Sequence, residues 1–242
     1  MSPKLSVVIP LYNEEDNVSP LLAELRPVLD GLGQAYEVVL VDDGSTDSTA
    51  ERLREAAAAW PQGRVIELAR NQGQACALLT GFGQASGEIC VTLYGDGQND
   101  PADIPRLLPR LAEADMVIGV RAERQDSSLR RLMSRVANGV RSRFLGDGVR
   151  DTGCALKAFR REVVEAFLPI RTLYSFMPAL AVASGFRVVQ VEVRHRPRTR
   201  GQSKYGLRAM LWRPLVDMLG VKWFAWRRIA AQPPIRRAGP NG

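Results

Sequence analysis

Val91-Thr-Leu-Tyr94-Gly95-Asp96-Gly97-Gln98-Asn99-Asp100-Pro101 decides how this chain is read. An apolar, β-branched run ends in a short loop that carries a carboxylate, an amide and a second acidic turn. A strand that delivers acidic ligands at its carboxyl end is where an open α/β sheet binds an anionic ligand through a divalent cation. The odd residue is Tyr94, which stands where such a loop would most naturally carry another carboxylate.

Around this stretch, strand-like and helix-like patterns alternate over the first 120 residues, which predicts βα units and a mostly parallel central sheet flanked by helices. Leu5–Pro10, Val38–Val41, Val65–Leu68, Ile89–Leu93 and Met116–Val120 are short apolar runs of the buried-strand type. Helical stretches are expected near Val18–Leu32, Thr49–Trp60, Gln74–Ala85 and Asp103–Glu113. Ser48 and Glu51 have the spacing of a capping box at the start of the second. Beyond Val120, Leu129, Leu132, Met133, Val136, Ala137, Val140 and Phe144 recur at helical spacing with arginines between them. Ala155–Phe159 and Arg187–Val193 read as strands, with a helix over Tyr174–Ser184.

Two other strand ends carry polar residues. The first strand closes with Pro10-Leu11-Tyr12-Asn13-Glu14-Glu15, where Pro10 would end the ladder and Asn13 suits either a ligand edge or a helix N-cap. The second closes with Val41-Asp42-Asp43-Gly44-Ser45-Thr46-Asp47. Adjacent carboxylates repel unless a donor or cation is near, so one of Asp42 and Asp43 is a candidate acceptor for a base or ribose. Ser45, Asp47 and Ser48 are ordinary turn and cap residues.

Composition sets the remaining bounds. At 242 residues, with 45% hydrophobic and 24% charged residues, the chain is long enough for one sizeable α/β core. Its net charge of +7 is concentrated. Arg194, Arg196, Arg198, Arg200, Lys204, Arg208 and Arg213 follow one another without an intervening acid, a pattern that attracts phosphates. A single histidine, His195, excludes His-rich metal sites and argues against a Ser–His–Asp device. Cys76, Cys90 and Cys154 have no CxxC spacing and read as reduced core thiols. The amino terminus runs straight into a strand, so no signal peptide is expected, and no apolar run approaches the ~18 residues of a membrane span. Nucleic-acid binding is disfavoured, because paired acids sit at the strand ends and few aromatics interleave with the basic groups.

Taken together, Pro10-x-Tyr12-Asn13-Glu14, Val41-Asp42-Asp43-Gly44-Ser45-Thr46-Asp47 and Gly95-Asp96-Gly97-Gln98-Asn99-Asp100-Pro101-Ala102-Asp103-Ile104-Pro105 resemble glycosyltransferase family 2, with its GT-A, Rossmann-like fold. Asn71-Gln72-Gly73-Gln74, Gly119-Val120-Arg121, Asp151-Thr152-Gly153-Cys154 and Arg198-x-x-Gly201-x-Ser203-Lys204-Tyr205 extend the resemblance. The closing Arg-x-x-Gly-x-Ser-Lys is similar to the dolichol-phosphate mannosyltransferase-like branch, which uses polyprenyl-phosphate acceptors. The resemblance implies that Pro10, Tyr12, Glu14, Asp42, Asp43, Gly95, Asp96 and Arg121 line the nucleotide-sugar pocket. It further implies that Asp96 and Gln98 hold Mg²⁺ or Mn²⁺, and that Arg198, Ser203 and Lys204 meet the acceptor phosphate. Asp96, Arg198 and Lys204 would then be the catalytic residues of a metal-dependent, inverting transfer to an undecaprenyl or dolichyl-type phosphate, in cell-envelope glycan or lipid biosynthesis. Tyr94 departs from the family's Asp-x-Asp, which leaves a nucleotide-sugar-binding pseudoenzyme with a scaffolding or regulatory role as the alternative.

Residues 1–206 are expected to form the GT-A domain, 207–231 an amphipathic helix and 232–242 a disordered tail. Trp212, Trp223 and Trp226 lie in that helix beside Lys222, Arg227 and Arg228, a composition suited to the bilayer interface. Many relatives carry transmembrane helices at this point. For this chain the expectation is peripheral attachment to an anionic surface, on the cytoplasmic face of the inner membrane. A homo-oligomer is compatible with the same residues.

Overall fold

The computed structural model describes residues 3–121, 138–196 and 207–228, with the backbone alone for 207–215. Its strands are β1 (Leu5–Leu11), β2 (Tyr36–Asp42), β3 (Gly63–Glu67), β4 (Ile89–Thr92), β5 (Met116–Arg121), β6 (Lys157–Arg160) and β7 (Val188–Val193). They form one sheet in the order β3-β2-β1-β4-β6-β5-β7. β1 pairs in parallel with β2 and β4, β2 with β3, and β5 with β7. β6 runs antiparallel between β4 and β5. The helices are α1 (Glu15–Asp30), α2 (Thr49–Ala58), α3 (Gln74–Gln84), α4 (Ile104–Leu107), α6 (Leu173–Ala183) and α7 (Leu207–Arg227), with residues 138–145 as the described part of α5.

All seven residues of β1 are buried, because helices cover both faces of the sheet. Leu5, Val7, Ile9 and Leu11 face Leu21, Leu25 and Leu29 of α1 together with Ile104 and Leu107 of α4. Val8 points the other way, with Val39 and Val41 of β2, onto Leu78 and Phe82 of α3 and Phe176 and Leu180 of α6. The expected mostly parallel α/β architecture is therefore present, and among the described strands of the sheet β6 alone is reversed.

Three local expectations are corrected. Pro10 does not end β1. The carbonyl of Val8 accepts from Leu93 N–H at 3.2 Å, so alternation puts the missing N–H of Pro10 on the β4 side, beyond the last rung there. On the β2 side pairing continues through Pro10–Val41 to Leu11–Asp42. The helix expected over Asp103–Glu113 is broken into a 3₁₀ turn (Pro101–Asp103), the single turn of α4 and a second 3₁₀ stretch (Leu108–Ala112). Pro105 and Pro109 remove the amide donors that a continuous α-helix needs. The capping box at α2 does not form either. Asp47 Oδ1 accepts from Thr49 N–H at 3.0 Å, and Ser48 N–H goes to Glu15 Oε2 at 3.0 Å. The Ser48 N–H that the box would give to the Glu51 carboxylate is taken by that of Glu15, and the Ser48 hydroxyl makes no cap bond.

Candidate active site

The polar ends of β1, β2 and β4 lie side by side, because those three strands are neighbours. The loops after β1 and β2 are stitched into one surface. Asn13 takes a left-handed conformation (φ 51°) rather than capping α1. Its backbone N–H donates to Ser45 Oγ at 2.9 Å, and its Oδ1 accepts from Thr46 N–H at 2.8 Å. Glu14 N–H donates to Thr49 Oγ1 at 2.8 Å, and the Glu14 carboxylate accepts from Asn17 Nδ2 at 2.6 Å. Tyr12 is half-buried at the root of this surface.

Asp42 and Asp43 are both buried, at 3% exposure, and the donors their repulsion demands come from the chain itself. Asp42 accepts from the backbone N–H of Ser45 at 3.1 Å and from its hydroxyl. Asp43 turns toward the loop before α3, accepting from Gln72 N–H at 2.8 Å, Gly73 N–H at 2.9 Å and Asn71 Nδ2 at 3.1 Å. Burial raises the Asp43 pKa, the neighbouring Asp42 charge adds to that, and the two N–H bonds oppose it. Asp43 thus positions the Asn71–Gly73 segment against the β2 end.

Beyond β4, Gly95 is buried and packed so closely that an added Cβ would sit 2.9 Å from Leu11 Cδ2. A side chain here would have to displace the Leu11 side chain where the loop crosses the end of β1. Gly97 has φ 69° and turns the chain, so that Asp96 Oδ1 accepts from Gln98 N–H at 3.2 Å. Asp96 and Gln98 end up half-exposed on the same short turn.

A clasp that the motifs do not reveal joins this loop to the end of β7. Asn99 and His195 form an antiparallel bridge, and Arg196 N–H donates to Gln98 O at 2.9 Å. Asp103, fully buried, accepts from Arg194 N–H at 2.6 Å and from Arg106 at 3.0 Å. Asp100 accepts from Ala102 N–H at 3.0 Å and pairs with Arg194 at 3.2 Å and Arg196 at 2.9 Å. Arg196 also reaches Glu24 on α1 at 2.6 Å. Two of the seven cations of the basic run are therefore matched by acids distant in sequence. Arg198, Ser203 and Lys204 lie outside the described residues.

Arg121 closes the far side of the site. Its Nε and NH2 form a fork on Asp151, at 2.7 and 2.8 Å, and its backbone N–H reaches the same carboxylate at 3.2 Å. The carboxylate also caps its own turn through Gly153 N–H at 3.2 Å. Asp151 was visible in sequence only as part of a motif, and the fork gives it a task. The next carbonyls are held too: Lys157 Nζ donates to Cys154 O, and Thr92 Oγ1 to Ala155 O at 2.6 Å.

Among the described residues no three His, Cys, Asp or Glu side chains gather into a metal cage. What the loop provides is one carboxylate and one amide oxygen. That set fits Mg²⁺ or Mn²⁺ that takes its remaining ligands from phosphates and water, as Mg²⁺ commonly does.

An open α/β sheet with these strand ends defines a nucleotide-binding fold of the GT-A type. The chain belongs to the glycosyl transferase family 2, whose model matches residues 6–168. An undecaprenyl-phosphate 4-deoxy-4-formamido-L-arabinose transferase from Edwardsiella ictaluri is 43% identical over 210 residues, covering 86% of this chain and 64% of the relative. One of the same name from Pseudomonas aeruginosa is 44% identical over 209 residues, covering 86% and 62%. The chain thus spans just under two thirds of these relatives. Among solved structures, glucosyl-3-phosphoglycerate synthase from Mycobacterium tuberculosis, in complex with Mn²⁺, uridine diphosphate and phosphoglyceric acid, superposes with a TM-score of 0.72 at 22% identity, covering 91% of this chain and 78% of that one. The mannosyltransferase PcManGT from Pyrobaculum calidifontis, with GDP-Man and Mn²⁺, gives 0.66 at 24% identity, covering 97% and 67%.

Proposed function

We propose that this chain transfers a sugar, with inversion, from a nucleoside-diphosphate donor to a polyprenyl phosphate. The observation that carries the reading is the clasp of Arg196 onto Gln98, which starts the phosphate-seeking run of Arg198 and Lys204 at the edge of the acidic Asp96–Gln98 turn. Pro10, Tyr12, Glu14 and Asp42 face the nucleotide, Asp43, Gly95 and Arg121 shape the floor, and Asp96 with Gln98 would hold Mg²⁺ or Mn²⁺. The metal's contribution is to stabilise the charge developing on the departing diphosphate. A lipid phosphate is already an anion at neutral pH, so its oxygen attacks C1 of the sugar without a general base as the C1–O bond to the diphosphate breaks. Arg198, Ser203 and Lys204 orient that phosphate, Arg as a fork and Lys as a point charge.

Thermal melts with UDP, GDP and their sugars, with and without Mn²⁺, test donor binding, since a ligand of the folded state raises its stability. A turnover assay of wild type beside Tyr94→Asp then tests catalysis. Wild type is expected to turn over, and the aspartate variant to bind metal without nucleotide about tenfold more tightly, having a second carboxylate. Turnover by the aspartate variant alone would make the wild-type chain a nucleotide-sugar-binding pseudoenzyme, a reading that Tyr94 motivates and none of the relatives' names supports.

Among the described residues no helix is long and apolar enough to cross a membrane. With the catalytic domain taken as 1–206 and an attachment helix as 207–231, we place the lipid at α7; the tail 232–242 lies outside the described residues. Met218, Val221 and Phe224 pack α7 onto the core, and Asp217 accepts from Thr172 Oγ1 at 2.5 Å. Val216, Leu219, Trp223 and Trp226, at helical spacing, are left 59–76% exposed. Val140 and Phe144 of α5 extend this apolar stripe, with Lys222 Nζ 5.7 Å from the Phe144 ring. Exposed Arg143, Lys222 and Arg227 flank it, which suits the anionic cytoplasmic leaflet of an inner membrane. Co-sedimentation with phosphatidylglycerol vesicles is expected to fall about tenfold for Trp223→Ser/Trp226→Ser. Equal sedimentation of wild type and variant would remove the membrane role of α7.

A further inference from the structure

Arg194, His195 and Arg196 leave the end of β7 beside Gln98, Asn99 and Asp100 of the acidic loop. The backbone contact is short: the Asn99–His195 bridge, with Arg196 N–H on Gln98 O at 2.9 Å. All six residues are polar, so no buried apolar face fixes the register between them, and a polar pairing of this length slips easily. Its register needs another support.

Asp100 provides it. Residues i and i+2 of an extended segment point the same way, so Arg194 and Arg196 present their guanidinium groups to one side. There the Asp100 carboxylate, 7% exposed, pairs with both, at 3.2 and 2.9 Å. Asp103 takes the Arg194 N–H at 2.6 Å, and Glu24 on α1 takes the other arm of Arg196 at 2.6 Å. Stability alone gives little reason for a charge at Asp100. Its cap bond from Ala102 N–H, at 3.0 Å, could be accepted by an asparagine. Pairs with arginines that are 57% and 42% exposed contribute at most about 1 kcal/mol. What the charge does is select the register. A slip by one residue would turn both arginines to the opposite side and move the chain beyond them by about 3.4 Å.

That chain reaches Arg198 two residues later, within about 7 Å of Arg196 along the backbone. We propose that Asp100 is a positioning residue for acceptor binding, locking the β7 exit in register with the Asp96–Gln98 turn and so fixing where the run of Arg198 and Lys204 begins relative to the donor. The lock matters only if that run meets the acceptor phosphate, as in the reading above. A displacement of about 1 Å is already costly to a reacting pair, and a register slip exceeds it.

Titration calorimetry of the full chain tests this with two probes, UDP with Mn²⁺, and farnesyl phosphate in the presence of both. For Asp100→Asn we expect farnesyl phosphate to bind about tenfold more weakly, with UDP affinity unchanged. The sign is diagnostic, because removing a negative charge beside the basic run would tighten anion binding if attraction alone mattered. Arg196→Lys keeps the charge but cannot span Asp100 and Glu24 with a fork, and should weaken the same probe severalfold. Equal or tighter farnesyl phosphate binding by Asp100→Asn overturns the proposal. A parallel loss of UDP affinity, which would mark a general loosening, overturns it as well. If Asp100→Asn does not fold, Arg196→Lys decides alone, and an unchanged affinity overturns the proposal. A wild-type chain that binds no farnesyl phosphate overturns the acceptor reading and the register lock together.

Discussion

Asp96→Asn is expected to lower sugar transfer by about 10³-fold while changing stability by no more than about 0.5 kcal/mol. The argument starts from Tyr94. With a phenol in that position, Asp96 is the one carboxylate on the Asp96–Gln98 turn, and among the described residues no cluster of three or more metal-ligating side chains forms. An amide keeps the shape and still accepts the Gln98 N–H bond that closes the turn. It loses the negative charge that a divalent cation requires, and charge stabilisation of the leaving group by such an ion amounts to several kcal/mol. Gln98→Ala removes a neutral ligand and should cost only about tenfold. The variants are to be compared in transfer to a short-chain polyprenyl phosphate, with UDP affinity measured with and without Mn²⁺. Transfer by Asp96→Asn within threefold of wild type would place the essential anion elsewhere in the chain.

Much of this site is legible in the sequence because parallel strands place their carboxyl ends along one edge. The apolar runs at Leu5, Val38 and Ile89 locate β1, β2 and β4, and whatever follows them is brought together. Direction is another matter. The run ending at Phe159 has the composition of a strand in either orientation, so the antiparallel insertion of β6 is not encoded in periodicity. Lys157 is hidden for the same reason, since a lysine beside alternating apolar residues looks like the wet face of an edge strand. It is buried only because β4 and β5 flank it. The partners of Arg194 and Arg196 were equally invisible. Asp100 and Asp103 lie about ninety residues upstream, and only the adjacency of the β4 loop and the β7 end pairs them. Asp42 and Asp43 show the limit of pattern reading most clearly. Their adjacency announced that donors must be near, and the structure supplies those donors from the protein's own Ser45, Gln72 and Gly73.

Asp151→Ala should be the most destabilising single change at the site, at about 3–5 kcal/mol in urea unfolding. The carboxylate is 6% exposed and the Arg121 side chain 16%, so water cannot replace what is removed. Alanine takes away the acceptor of the Arg121 fork, of the Arg121 backbone N–H and of the Gly153 N–H. A half-buried guanidinium then loses the carboxylate that its fork grips, and breaking such a pair costs more than the pair itself contributes. Arg121→Met should be milder, because the carboxylate retains its backbone donors. The double variant should lose clearly less than the sum of the two, with a coupling of about 2 kcal/mol for residues in direct contact. A loss below about 1 kcal/mol for Asp151→Ala, or strict additivity in the double variant, would show that the fork is not what holds residues 151–155.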